Sequence, residues 1–234
     1  MKSFHLALLP ALCASAVITM AGTQESIVRW EEGKPGSTFS RGEDGKYRYG
    51  LRTDDLGVTM AVDSQELQKS RKRMGPFVGI FLEFSYQGSD SVSVLPGRIT
   101  LEFASHAHVV HQALDPQTFS EHYQDLADAA AKYNQRESEK HRDKKDFYNK
   151  RIEANEKELV EIQEFLGSRC LKPAKLSPAA PQNTGWVLFR STDKWIGRWK
   201  DQEQLVLRIP LDGRVIEIPF QLPPTAGDLI LRKR

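Results

Sequence analysis

The stretch QLVLRIPLDGRVIEIPFQL, residues 204–222, decides the fold. Two runs of alternating apolar residues flank Asp212-Gly213, a dipeptide that favours the two-residue turn of a β-hairpin. A turn at this position fixes the register, because each residue before it must face one residue after it. The predicted pairs are Leu211 with Arg214, Ile209 with Ile216, Leu207 with Ile218, and Leu205 with Phe220. Three of these pairs are wholly apolar and share one face, so that face must be buried.

The other face of this hairpin carries Arg208 opposite Glu217, together with Pro210 and Pro219. In the predicted register, both prolines direct their missing N–H away from the hairpin partner. We therefore expect neither strand to form a full hydrogen-bonded ladder on its outer side.

The region from residue 23 to residue 115 predicts further strands. Residues 46–52 and 57–62 are rich in aromatic and β-branched side chains, with Asp54-Asp55 as a turn between them. FVGIFLEFSY, Phe77–Tyr86, is almost continuously apolar and predicts a buried central strand. Residues 91–95 and 98–103 flank Pro96-Gly97 and predict two strands joined by a tight turn. A short helix is expected from Asp63 to about residue 73.

A helical region follows, because residues 117–166 contain neither Gly nor Pro. Asp115 with Pro116 forms a helix start. Two heptad seams, rows of residues spaced alternately by three and four, run through it out of phase. The first is Phe119, Tyr123, Leu126, Ala130 and Tyr133; the second is Tyr148, Ile152, Asn155, Leu159, Ile162 and Leu166. We predict an antiparallel coiled-coil hairpin with its tip near residues 135–144; the alternative is one long helix that pairs with another chain.

The expected fold is mainly β with an α insertion. An antiparallel β-sandwich, Ig-like or jelly-roll-like, begins at residues 23–115 and is completed by residues 184–234, where residues 186–190 and 228–232 add strands. The helical hairpin, 116–167, is inserted between these parts, and a Pro-rich linker or covering segment, 168–183, follows it.

The N-terminus predicts export. Residues 1–22 contain one charged residue, an apolar run and small residues before the possible cleavage sites at Ala21 and Ala16, as in a secretory signal peptide; retention as an anchor is the alternative. Loss of this segment would remove Cys13 and leave Cys170, which is buried or pairs with another chain. We expect a secreted, periplasmic or cell-envelope protein that is not an integral membrane protein after cleavage.

Composition and motifs exclude some functions and weaken others. With 33 Lys and Arg against 31 Asp and Glu, the chain lacks the basic footprint of a nucleic-acid-binding protein. It has no Gly-x-Ser-x-Gly elbow, phosphate loop, dinucleotide fingerprint or His-Glu-x-x-His motif. These absences favour a non-enzymatic role without a cofactor.

Two groups of residues are candidate sites. His106 and His108 are expected on one face of a strand, where two neutral imidazoles could bind a divalent metal such as Zn²⁺; solvated histidines are the alternative. Trp195, Arg198 and Trp199 could hold a sugar or peptide, although tryptophans more often fill a core.

The leading functional expectation is a binding or structural protein of the cell envelope or secreted fraction. Its helical hairpin, residues 117–166, would bind a protein partner or a second copy of the chain. The alternatives are a carbohydrate- or ligand-binding sandwich that uses Trp195 and Trp199, and a metal-dependent enzyme that uses His106 and His108.

Overall fold

The computed structural model describes residues 25–43, 46–62, 77–190 and 202–222, and these form a mainly β protein with two helices. The helices are α1, Pro116–Lys140, and α2, Lys145–Arg169. The strands are β1 Ser26–Arg29, β2 Ser37–Arg41, β3 Tyr47–Arg52, β4 Leu56–Val62, β5 Phe77–Tyr86, β6 Val92–Val94, β7 Thr100–Phe103, β8 Val109–Gln112, β9 Ala174–Leu176, β10 Gln182–Arg190, β11 Glu203–Leu211 and β12 Arg214–Leu222.

Ten of the described strands form two sheets, each with five strands in the described ranges. The first sheet has the order β1-β12-β11-β7-β8, and the second has the order β10-β5-β4-β3-β2. All neighbours are antiparallel except β1 and β12. Strands β10, β11 and β12, which follow the helices, pair with strands that precede them, so the helices interrupt one β body.

One hydrophobic core joins the two sheets. Leu207 and Ile218 from the first sheet belong to the same buried cluster as Ile80 and Leu82 from the second. Burial of an aliphatic side chain of this size contributes about 1.5–3 kcal/mol relative to exposure. The central strand predicted at Phe77–Tyr86 is confirmed, since β5 has these bounds and lies between β10 and β4.

The β11–β12 hairpin has the predicted register, with Leu211 opposite Arg214 and Leu205 opposite Phe220. Its outer ladders are partial. Strand β7 pairs only with residues 205–208 of β11, and β1 pairs only with residues 214–217 of β12. Both ladders stop before a proline, Pro210 on β11 and Pro219 on β12, as expected from residues that cannot donate to a neighbouring strand.

The two strands predicted on either side of Pro96-Gly97 are present and are joined by a tight turn, but they do not pair with each other. Strand β6 pairs with β9 in a separate two-stranded sheet, whereas β7 pairs with β8 and β11. A 3₁₀ turn, Pro96–Arg98, separates β6 from β7. The pattern revealed both strands but not their partners, because β9 lies in the segment expected to be a linker or covering segment.

The helices form the predicted antiparallel pair rather than one long helix. Asp115 caps α1, since its carboxylate accepts from the backbone N–H of Thr118 at 3.2 Å. The chain reverses through a 3₁₀ turn at Arg142–Lys144, near the expected tip. Between the helices, the Tyr123 hydroxyl donates to Glu158 at 3.3 Å and the Gln163 amide donates to Gln124 at 3.1 Å.

The two helices follow the predicted seams unequally. The α2 positions predicted to face inward are all buried or half-buried, whereas on α1 Leu126 and Tyr133 are 52% and 59% exposed. The α1 face towards α2 instead carries Ala127, Asn134 and Ser138. Apolar spacing favoured Leu126 and Tyr133 because Asn134 and Ser138 are polar, so this part of the prediction is wrong.

The base of the helical pair packs on the outer face of β10. Phe119, Ile162 and Leu166 form a second buried cluster with Cys170 and Leu188. The start of α1 thus lies near the end of α2, as the predicted antiparallel hairpin requires. Burial raises the pKa of the Cys170 thiol to about 11, so this side chain behaves as a small apolar group.

The segment after α2 covers β10 closely. The backbone N–H of Leu171 donates to the Trp186 carbonyl at 2.9 Å. A Cβ at residue 185 would lie 2.5 Å from that Leu171 nitrogen, so the approach requires Gly185.

Several predicted features lie outside the described residues. They are the signal segment 1–22, the helix at 63–73, the strand at 228–232, and the candidate residues Trp195, Arg198 and Trp199. In the described part of the chain, neither helix combines the length and apolar character needed to span a membrane.

One ion pair links the turn before β4 to the start of β12. Arg214 donates to both oxygens of Asp55, at 2.8 and 2.6 Å. These bonds lower the pKa of Asp55 from 3.8 to about 2. The pair thereby ties the second sheet to the first beside the common core.

We expect replacement of Asn134 by Leu to stabilise the protein. Asn134 is 1% exposed; its amide N–H donates to the Ala130 carbonyl, but its buried Oδ1 has no hydrogen-bond partner among the described residues. An unsatisfied buried acceptor costs about 1–3 kcal/mol, so N134L should raise the free energy of unfolding by about 1 kcal/mol or more in urea denaturation. Asn149, exposed on α2, provides the control N149L, which changes helix propensity alone. Equal changes in the free energy of unfolding for N134L and N149L would contradict a cost of the unpaired Asn134 Oδ1.

We expect acid to weaken the Asp55–Arg214 pair. Because the folded pKa of Asp55 is depressed, its stabilisation is present above the ordinary pKa of 3.8 and is lost as pH falls towards about 2. D55N should therefore lower stability at about pH 5 and make little difference near pH 2, measured by denaturant unfolding at both pH values. The neighbouring exposed residue gives the control D54N. A D55N effect of the same size at both pH values would refute this role.

Candidate ligand-binding cleft

A ladder of charged side chains crosses the outer face of the first sheet. Arg208 on β11 donates through Nε to Glu217 on β12 at 2.8 Å and through Nη1 to Glu102 on β7. Arg29 on β1 donates to the other oxygen of Glu217 at 2.6 Å. Four neighbouring strands therefore contribute to one hydrogen-bonded network.

Strand register explains how these residues meet. Arg208 is directly opposite Glu217, and Arg29 is opposite Glu217 on the other side. Glu102 faces Val206, so it is the diagonal neighbour of Arg208. Direct and diagonal cross-strand pairs on one face lie within reach of long side chains.

The carboxylates of the ladder are buried and its cations are more exposed. Glu102 and Glu217 are 7% and 6% exposed, whereas Arg29 is exposed and Arg208 is intermediate. Hydrogen bonds from His108 and then from Arg208 lower the pKa of Glu102. Burial disfavours the charged form of Arg208, yet its bonds to Glu217 and Glu102 hold its pKa above the ordinary value. Glu102 and Arg208 are therefore both held in their charged forms.

The two candidate histidines lie in a turn, so their expected placement on one face of a strand is wrong. Residues 104–108 connect β7 to β8, and Ala107 and His108 have left-handed backbone angles, with φ of 51° and 55°. His106 donates through Nε2 to the Glu203 carboxylate at 2.8 Å, whereas His108 donates to Glu102. The alternating pattern failed because the chain reverses at this point.

These carboxylate partners bear on the metal hypothesis. Across the described ranges, no group of three or more His, Cys, Asp or Glu side chains is arranged to hold a metal ion. Metal binding by His106 and His108 stays a prediction. Each imidazole bonds its glutamate through one ring nitrogen, Nε2 in His106 and Nδ1 in His108.

Aromatic rings form the second part of the site. Trp30, directly after β1, donates through its indole N–H to the Thr38 carbonyl at 3.1 Å. Tyr49 on β3 lies at the centre, with ring centroids 5.2 Å from Trp30, 4.9 Å from Phe39 and 6.0 Å from Phe220. Burial raises the pKa of the Tyr49 hydroxyl to about 12. Phe39 is the exposed member of this group.

The ladder and the aromatic group line one cleft of about 670 Å³. Gln204 and Gln221, which are opposite each other on β11 and β12, add two exposed amides, and Glu32 adds a carboxylate. A concave surface of this volume with rings and several polar groups is typical of a ligand-binding site. Its chemistry supports binding through ring contact and hydrogen bonds.

Most residues of this site were not predicted from the sequence. Arg208 and Glu217 were predicted as a cross-strand pair and His108 as a candidate ligand, but no role was predicted for Trp30, Phe39 or Tyr49. The available signal was the aromatic alternation of the strand at residues 47–49. Strand β2 carries Phe39, and strand β1 directly precedes Trp30. Neither strand was predicted.

Comparisons with protein-family models, with curated proteins and with solved structures found no match for this chain.

We expect Arg208 to be essential for the ladder. Its replacement by Met would leave two nearly buried carboxylates without their shared partner and should lower the free energy of unfolding by about 3 kcal/mol. Arg98 provides a control, since it is half exposed and lies 3.9 Å from an exposed Glu25; R98M should change stability by less than about 1 kcal/mol. The double variant R208M/E217Q should be more stable than R208M in urea denaturation. If R208M matched R98M, the ladder would not be a buried network.

Proposed function

We propose that the chain is an exported, non-enzymatic binding or structural protein of the cell envelope or secreted fraction. In this proposal its helical pair mediates contacts with another protein chain. The export part rests on the signal-like pattern of residues 1–22. The proposed architecture is an Ig-like or jelly-roll-like sandwich that carries a coiled-coil hairpin.

The observation that carries this proposal is the contrast between the two ends of the helical pair. At its base, Phe119, Ile162 and Leu166 are buried against β10. Farther along, Leu126 and Tyr133 are more than half exposed on α1. They are seven residues apart and so lie on one side of the helix.

The dimensions of the helices suit a projecting contact surface. Each helix has 25 residues, which corresponds to a length of about 37 Å. Phe147, close to the turn between the helices, and Val160 on α2 are also more than half exposed. Large apolar side chains on an anchored helical pair favour protein contact over solvation alone.

We expect a double substitution, L126Q/Y133Q, to abolish this contact without unfolding the β body. Mature protein and variant would be crosslinked in the native envelope or secreted fraction and purified, and captured chains would be identified by mass spectrometry. A variant in which residues 117–166 are replaced by a short Gly/Ser loop should lose the same partner. Circular dichroism would check that its strands are retained.

The control is K132Q, which changes an exposed residue of the same helix. A partner bound by the K132Q protein and lost from L126Q/Y133Q would support the proposal. Light scattering distinguishes a second copy of the chain from a different protein. A partner that is retained by L126Q/Y133Q and by the loop variant would exclude the helical pair as the contact surface. Absence of any partner would count against the proposal.

A further inference from the structure

The cleft contains an exposed ring that is held in place. Phe39 is 44% exposed, yet its centroid lies 4.9 Å from that of Tyr49 and 6.3 Å from that of Tyr47, to which it is almost parallel at 11°. Ordering this side chain on binding therefore costs little entropy. The face of such a ring carries partial negative charge and attracts the C–H groups of a flat ligand ring.

The polar groups around this ring include both donors and acceptors. The amides of Gln204 and Gln221 can each donate and accept, Glu32 accepts, and Arg29 donates. A hydroxyl group also donates and accepts, so a ligand rich in hydroxyls matches this mixture. A purely apolar ligand would leave these groups without partners.

Charge balance decides against an acidic ligand. The guanidinium groups of Arg29 and Arg208 are already paired with Glu102 and Glu217. Glu32 adds a further negative charge to the cleft. Among the described residues that line the cleft, each arginine is therefore already paired, and none is left for the carboxylate, sulfate or phosphate of an acidic ligand.

We infer that this cleft binds a neutral saccharide chain, with one sugar ring stacked on Phe39 and its hydroxyls bound by Gln204, Gln221 and Arg29. The cleft volume of about 670 Å³ is in the range of small-ligand sites, so a short stretch of the chain occupies it. The inference is independent of the proposed function, because the helical pair contributes no residue to the cleft.

The test is calorimetric titration of the full mature chain with soluble tetrasaccharides. The neutral probes are linear chains of glucose, mannose, galactose and N-acetylglucosamine, and the acidic probes are a galacturonate chain and a sulfated galactose chain. We expect at least one neutral probe to bind with a dissociation constant of about 1 mM or lower. F39A should weaken that binding about tenfold or more through loss of the ring, and Q221A should weaken it several-fold.

Leu95 provides a matched control, because it is 42% exposed, close to the value for Phe39, but lies outside the cleft. L95A should bind the neutral probe like the unchanged protein. Circular dichroism and thermal unfolding would show that F39A and Q221A remain folded. A neutral probe that loses affinity in F39A and Q221A but not in L95A would support the inference.

Three other results would overturn the inference. If only the acidic probes bound, Arg29 and Arg208 would form an anion-binding site instead. Neutral binding that F39A leaves unchanged would place the saccharide elsewhere on the chain. Failure of all neutral probes to bind would exclude a neutral saccharide as the ligand.

Discussion

Burial of one face of the β11–β12 hairpin against the second sheet is the interaction on which the rest of the structure depends. Leu207 and Ile218 face Ile80 and Leu82 within one core. The hairpin follows the helices in the chain, but it supplies two adjacent strands of the first sheet, beside β1 and β7 from the N-terminal part. Because strands from before and after the helices pair in one sheet, the start of α1 and the end of α2 both connect to the same β body.

The opposite face of the same hairpin explains where the cleft forms. Inward-facing leucines and isoleucines alternate with outward-facing residues, so Arg208 and Glu217 must lie on the outside. Pro210 and Pro219 end the outer ladders, and β1 therefore covers only the first part of β12. Beyond this short strand, Trp30 bonds to Thr38 of β2, and Gln204 and Gln221 are exposed. The cleft lies at that end of the hairpin, where both glutamines line it.

The contrast between predicted and observed features follows from the range of the interactions involved. Two adjacent residues, Asp212-Gly213, set the hairpin register, so sequence alone predicted every pair of β11 with β12 that it named. The α1 seam depended on α2, and a polar Asn134 occupies a buried position that apolar spacing could not select. The cleft depended on three strands, β1, β2 and β3, that meet only in the folded chain. No local pattern relates Trp30, Phe39 and Phe220.

The two proposed binding surfaces are physically separate. The helical pair rests on β10 at one edge of the second sheet, and Phe39 lies on β2 at the other edge. Four interstrand steps of about 4.8 Å place these edges about 19 Å apart. Substitutions at such a distance, without shared partners, have nearly additive effects. Loss of the helical pair should therefore leave saccharide binding intact, and F39A should leave protein capture intact, so each proposal can fail without the other.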